Sequence, residues 1–218
     1  MKTLTTRMIV CLLFTGVFAC PAGISAEEVK PIALPAPQTT GGKPFMQALA
    51  ERQSTREFSP EALPLQILSD LLWAANGINR SDGRRTAPSA HNAQEIDIYV
   101  AQKEGLYRYD AVKQELAGVI SGDIRAKAGK QDFVEKAPAV LIFVADLKKL
   151  RGGSEEDAFF YSATDTGYIS QNVYLYCASR GLATVVLGWV DKPVLAQAMN
   201  LRPEQRVILT QPVGYPKK

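Results

Sequence analysis

The pattern begins with charge followed by a plain apolar run. Lys2 and Arg7 precede Met8 to Ala19, which carry no charge. A run of about a dozen apolar residues suits the core of an export signal and is too short to span a bilayer. Residues 1–26 are therefore expected to be a signal peptide, cut after Ile24-Ser25-Ala26. The alternative is a lipoprotein signal ending before Cys20, on Val17-Phe18-Ala19-Cys20. No Arg-Arg pair precedes the run, so the chain is expected to cross unfolded, in a bacterium to the periplasm. Residues 27–44 hold Pro31, Pro35, Pro37, Pro44 and Gly41-Gly42. Proline fixes φ and removes donors, which predicts an extended tether.

Helical spacing starts at Phe45, with Met46, Leu49 and Ala50 on one face. A second helix fits Leu65 to Ala75, started by Pro64 and stopped by Asn76-Gly77. Residues 78–93 are polar and irregular. Ile96 to Val100 and Leu106 to Tyr109 read as two strands joined near Glu104-Gly105. Residues 112–136 are mixed and read as helical in pieces. Ala139 to Ala145 is apolar throughout, as a central strand would be. Ala158 to Arg180 keeps helical spacing and Gly181 closes it. Thr184 to Leu187 reads as a short strand, Pro193 to Met199 as a helix and Gln205 to Val213 as a last strand. Helices first, then strands around one long helix, predict an α+β domain over residues 45–218.

Composition narrows the chemistry. The net charge of +3 is too small for a nucleic-acid footprint, and losing Lys2 and Arg7 with the signal shrinks it further. One His and three Cys, with no Cys-x-x-Cys, leave no Cys/His zinc site. After export only Cys177 remains, in an apolar helical pattern that suits a small buried hydrophobe. Gly-x-Ser-x-Gly, phosphate-loop and Gly-x-Gly-x-x-Gly signatures are all missing. An enzyme of this kind would borrow its hard chemistry from a bound group.

Four stretches can hold a ligand. Arg52-Gln53-Ser54-Thr55-Arg56 sets two guanidiniums and two hydroxyls within five residues, which can converge on a phosphate. The same residues also read as a solvated helix end. Pro88 to Gln94 is a small, polar loop whose amides offer donor and acceptor together. Gly188, after Leu187, lets backbone approach something flat. Lys217 and Lys218 follow the last strand, where a plain solubilising tail is the alternative.

The order of these pieces resembles the nitroreductase superfamily of FMN-dependent oxidoreductases over most of residues 45–218, with the SagB/ThcOx-type branch nearest. The matching elements are Arg52-x-Ser54-x-Arg56, Leu72-Trp73-Ala74-Ala75-x-Gly77, Arg85-Thr86-Ala87-Pro88-Ser89, Asp165-x-Gly167-x-x-x-Gln171-Asn172, Gly181-Leu182 and Pro212 to Pro216. The resemblance implies an α/β sandwich with a central mixed, mainly antiparallel sheet. It implies a domain-sharing homodimer with FMN at the subunit interface. Arg52, Gln53 and Ser54 would hold the phosphate and ribityl chain. Arg56 would lie at the flavin edge that gains charge on reduction. Pro88, Ser89 and Asn92 would reach the flavin from the partner. The backbone at Leu187 and Gly188 would face the ring, and Lys217 would complete the phosphate site. Electrons would pass in ping-pong order from a reduced donor, such as NAD(P)H, to a small organic or peptide-derived acceptor. Three points stand outside a simple carry-over. Glu95-Ile96 stands where many members have Pro-Trp or Pro-Leu beside the substrate cavity. His91, the one histidine, is either a proton donor or an ordinary loop residue. Arg84 and Arg85 either draw in an acidic substrate or are simply solvated. The same fold kept as a non-catalytic binding module is the competing reading.

Overall fold

A computed structural model describes residues 29–218. The expected signal peptide, with Cys11 and Cys20, lies outside the described residues. The unbroken apolar run becomes β5 (Ala139–Asp146), an interior strand of a seven-stranded sheet, with all eight residues buried. A strand can be apolar on both sides only where both faces are covered. β2 (Ile96–Ala101) flanks it on one side, in register from Ile96 opposite Ala145 to Ala101 opposite Val140. β7 (Gln205–Gly214) flanks it on the other, from Ala139 opposite Val213 to Asp146 opposite Gln205. β3 (Gly105–Asp110) continues outward from β2, and β6 (Ala183–Thr184) closes the far edge beside β7. Every pairing among the described strands is antiparallel, so the sheet is not mixed.

Two corrections concern the polar stretches. Residues 115–121 do not join a helix; Glu115–Ser121 form β4, a hairpin partner of β3. Its alternation is weak because only Leu116 is fully buried. Short 3₁₀ turns at Arg125–Ala128 and Val134–Lys136 follow it. The proline-rich arm is extended, and the described part is held against the body. Ile32–Ala33 form β1, paired with Leu116 and Glu115, and Leu34 is buried. A Cβ on Gly118 would lie 1.9 Å from the Val29 carbonyl oxygen, so glycine is what lets the arm cross β4.

The sheet's two faces carry two cores. On one, α2 (Leu65–Asn76) and α3 (Glu155–Arg180) pack Leu68, Leu71, Leu72, Ile169, Val173 and Cys177 against Ile98, Leu141 and Phe143. Burying one such leucine contributes roughly 1.5–3 kcal/mol. Burial also drives the Cys177 thiol far above its ordinary range, so it stays an inert hydrophobe. On the other face, α4 (Lys192–Ala198) and the 3₁₀ turns cover Tyr99, Ile142, Val144 and Val207. α3 starts three residues before the apolar pattern does. Ser154 and Asp157 form a capping box that satisfies its first amides, with bonds of 3.0 and 2.9 Å. Gly181 ends it in the left-handed region at φ +69°.

Candidate functional site

α1 (Phe45–Glu51) ends where Arg52 N–H closes the last turn onto the Ala48 carbonyl. The chain then leaves as an extended strap. Thr55 N–H bonds the Thr184 carbonyl of β6 at 2.9 Å. Ser59 N–H bonds the Tyr215 carbonyl at 2.9 Å, and Lys217 N–H bonds the Glu57 carbonyl at 3.2 Å. Phe58 bridges Pro216 in the same ladder. Three stretches far apart in sequence thus meet at one edge of the sheet: residues 52–59, 184–186 and 215–217.

Tyr174, on α3, organises this edge. Its hydroxyl accepts from Val186 N–H at 2.9 Å and shares a hydrogen bond of 2.8 Å with the Ser54 hydroxyl. The Arg52 guanidinium stacks 5.1 Å above its ring. Tyr174 was not singled out by sequence, because a tyrosine on the apolar face of a helix reads as core. Arg52, Gln53 and Thr55 line a cavity of ≈ 430 Å³ with Tyr174, Thr184 and Pro216. Arg56 and Lys217 line an adjoining one of ≈ 790 Å³, floored by Phe58 and Phe133. Leu187 is buried and bridges Thr210, while Gly188 is exposed just beyond it. Among the described residues, no ion pair within 4.0 Å engages Arg52, Arg56 or Lys217. Arg125, Arg180 and Arg202, by contrast, each sit on an aspartate. The cations on this strap, free of ion pairs, and the held Ser54 hydroxyl are donors of the kind that suits a phosphate.

The Pro88–Asn92 loop is elsewhere on the same chain. Ala90 N–H bonds Asp165 Oδ2 on α3 at 2.8 Å. Nine residues separate Asp165 from Tyr174, roughly 14 Å of helix axis at 1.5 Å per residue. Pro88, Ser89 and Asn92 therefore do not join Arg52 and Ser54 within one chain. Ser89 Oγ accepts from Gln94 N–H at 3.0 Å. His91, Asn92 and Gln94 all have left-handed backbone, at φ 52°, 53° and 50°. His91 is exposed and meets Tyr161 edge-on at 6.1 Å. Arg84 pairs with Asp82 at 2.8 Å on the surface, the solvated alternative, whereas Arg85 turns inward to Gln94 Oε1 and the Asn76 carbonyl. Glu95 lines no open cavity, since its side chain is entirely buried.

An antiparallel α+β sandwich with a cationic ligand edge at the end of its sheet is the nitroreductase-like fold. The chain belongs to the nitroreductase family, whose profile matches residues 49–215. This places it among oxidoreductases. It is 30% identical over 176 residues to the "Putative nitroreductase MJ1384" of Methanocaldococcus jannaschii, covering 76% of this chain and 88% of the relative. A crystal structure of a "putative nitroreductase" from Ralstonia eutropha JMP134 superposes with TM-score 0.83 at 44% identity. That match covers 87% of this chain and 91% of the other. A "putative nitroreductase" from Desulfovibrio desulfuricans, solved in complex with FMN, has the same fold at TM-score 0.60 and 20% identity. It covers 82% of this chain and 89% of that one.

Proposed function

We propose that the mature chain is an exported FMN-dependent oxidoreductase that works as a homodimer. It would carry electrons by a ping-pong mechanism from a reduced donor, such as NAD(P)H, to a small organic or peptide-derived acceptor. The carrying observation is one strap, residues 52–59, that sets Arg52 on one cavity and Arg56, with Lys217, on another, none of the three ion-paired among the described residues, with Ser54 held by Tyr174 between them. When bound, FMN supplies the two-electron chemistry. Arg52, Gln53, Ser54 and Lys217 bind its phosphate end, and Arg56 balances negative charge at the ring. Gly188 lets backbone meet the ring without a side chain between. Pro88, Ser89 and Asn92 complete the site from the other protomer, since about 14 Å of α3 keeps them from their own chain's edge. The exposed apolar residues Phe159, Phe160 and Tyr168 on α3, and Phe45 and Met46 on α1, give that dimer an apolar surface to bury.

Purified mature protein mixed with FMN is expected to bind one flavin per chain and to bleach on anaerobic addition of NADH or NADPH. Flavin binding without bleaching by either would favour the non-catalytic module. Failure to bind FMN at all would sink the oxidoreductase and leave the non-catalytic module, which needs no flavin. Export is checked separately, by fractionation and by the mass of the mature N-terminus. A mass starting at Glu27 supports simple cleavage, and a lipid-modified Cys20 supports the anchored alternative.

A further inference from the structure

Glu95 is the last residue before β2 and directly follows the loop of Pro88 to Gln94. Its side chain has no exposed surface, and neither of its oxygens has a partner as a carboxylate. An ionised carboxyl cannot persist unpaired in such a place. The charged groups around it do not relieve it. Asp165, from α3, presents like charge and is itself buried. Lys149, after β5, is committed to Asp97 Oδ1 at 2.8 Å and to the Gln94 carbonyl at 3.2 Å. The Arg85 guanidinium is spent on Gln94 Oε1 and the Asn76 carbonyl, each at 2.8 Å. His91 faces solvent. Burial first, and Asp165 second, push the Glu95 carboxyl up to about 7.

Two carboxylates cannot bond one another while both are ionised. One proton on Glu95 makes it a donor, and Asp165 is the acceptor beside it. Asp165 also holds Ala90 N–H through Oδ2, at 2.8 Å. That bond anchors a loop with left-handed backbone at His91, Asn92 and Gln94. Such backbone survives only where its surroundings over-determine it.

We propose that Glu95 is a positioning residue: as a buried neutral acid it donates to Asp165, fixes Asp165 on the Ala90 N–H, and so holds Pro88–Asn92 in the shape that meets the flavin. Ionisation of Glu95 sets two like charges together, Asp165 swings off Ala90, and the loop relaxes. The last link, to the flavin, rests on the function proposed above. The coupling of Glu95 to the loop operates within a single chain.

The experiment compares wild type, Glu95→Gln and Glu95→Ala at pH 6 and pH 8.5. Hydrogen exchange at Ala90 to Gln94 is measured on flavin-free protein and corrected for intrinsic rates; FMN affinity is measured by fluorescence quenching. Wild-type protection at Ala90 is expected to fall about tenfold from pH 6 to pH 8.5, with a similar weakening of FMN binding. Glu95→Gln keeps a donor at every pH, so both readouts stay near the wild-type pH 6 values. Glu95→Ala, which removes donor and volume, leaves the loop unprotected at both pH values. Wild-type protection that is flat with pH would overturn the proposal, as would a glutamine variant no better than alanine at pH 8.5. If FMN binds nowhere in the range, the flavin reading fails, and the exchange data alone decide the role of Glu95.

Discussion

Replacing Tyr174 by Phe removes one oxygen and keeps the ring. The lost atom accepts from Val186 N–H and shares a hydrogen bond with Ser54 Oγ. Ser54 is exposed and can turn to water, so its loss is near the low end for a hydrogen bond. Val186 is only partly exposed, and its amide is left without an acceptor. A net hydrogen bond contributes roughly 0.5–1.5 kcal/mol, and a stranded donor costs more, so the sum is about 1–2 kcal/mol. For a domain of this size, 1 kcal/mol moves Tm by about 2–4 °C. The expected drop is therefore roughly 2–8 °C by calorimetry. Arg52 keeps its aromatic platform, so FMN affinity should weaken only through the misdirected Ser54, by about three- to tenfold, or roughly 0.6–1.4 kcal/mol. Tyr174→Ala also removes the ring beneath Arg52 and opens a void, so it should lose about 3 kcal/mol or more. A phenylalanine variant with wild-type Tm and wild-type FMN affinity would show that the hydroxyl organises nothing.

Other outcomes follow from the same geometry. Arg52→Ala should weaken FMN binding about 10- to 150-fold, the loss of one charge-assisted contact, and should flatten its salt dependence; unchanged affinity in an isothermal titration rules Arg52 out of the phosphate site. The Glu95 carboxyl is raised from 4.5 to about 7 in the folded state. Folded protein then holds the extra proton between those values, so wild type loses stability as pH rises from about 4.5 to 7 and no further above. Relative to Glu95→Gln the loss should reach at most about 3 kcal/mol, read from urea midpoints at pH 5 and pH 8; parallel profiles would contradict it. Gly181→Ala forces a left-handed Cβ into otherwise open space and should cost about 1 kcal/mol by the same assay.

Much of this architecture was legible because burial wrote it into the pattern. Leu68, Leu72 and Ala75 lie at helical spacing because α2 packs one face on the sheet, and β5 reads as plain hydrophobe because both its faces are covered. The strap from Arg52 to Arg56 stood out through its order with the later motifs, since its cations and hydroxyls alone read equally as a solvated helix end. β4 was lost for the opposite reason. It lies near the sheet edge under β1, where partial burial leaves no clean alternation. Tyr174 and Glu95 were hidden by distance. The role of Tyr174 is set by Ser54, 120 positions earlier, and the burial of Glu95 by a helix some 70 positions later. Local sequence carries no sign of either. Nor does it tell that the Pro88–Asn92 loop and the Arg52 strap occupy different stations along α3; that depends on where each docks.

Export, as proposed, would give the layout of charge a further meaning. On the proposed route the chain folds before any cofactor reaches it, so the empty site must not decide whether it folds. The structure is compatible with that route. The two cores lie against the faces of β5, and Arg52, Arg56 and Lys217 belong to neither. Their mutual repulsion is screened, because Arg56 and Lys217 are exposed and Arg52 spreads its charge over the Tyr174 ring. Cofactor then acts as added ligand and not as a folding nucleus. At a hundredfold excess over Kd it stabilises by about 2.7 kcal/mol, enough to raise Tm by several degrees in a chain already folded without it. Cations that belonged to a core would have tied folding to flavin supply; placing them on a strap at the sheet's edge separates the two.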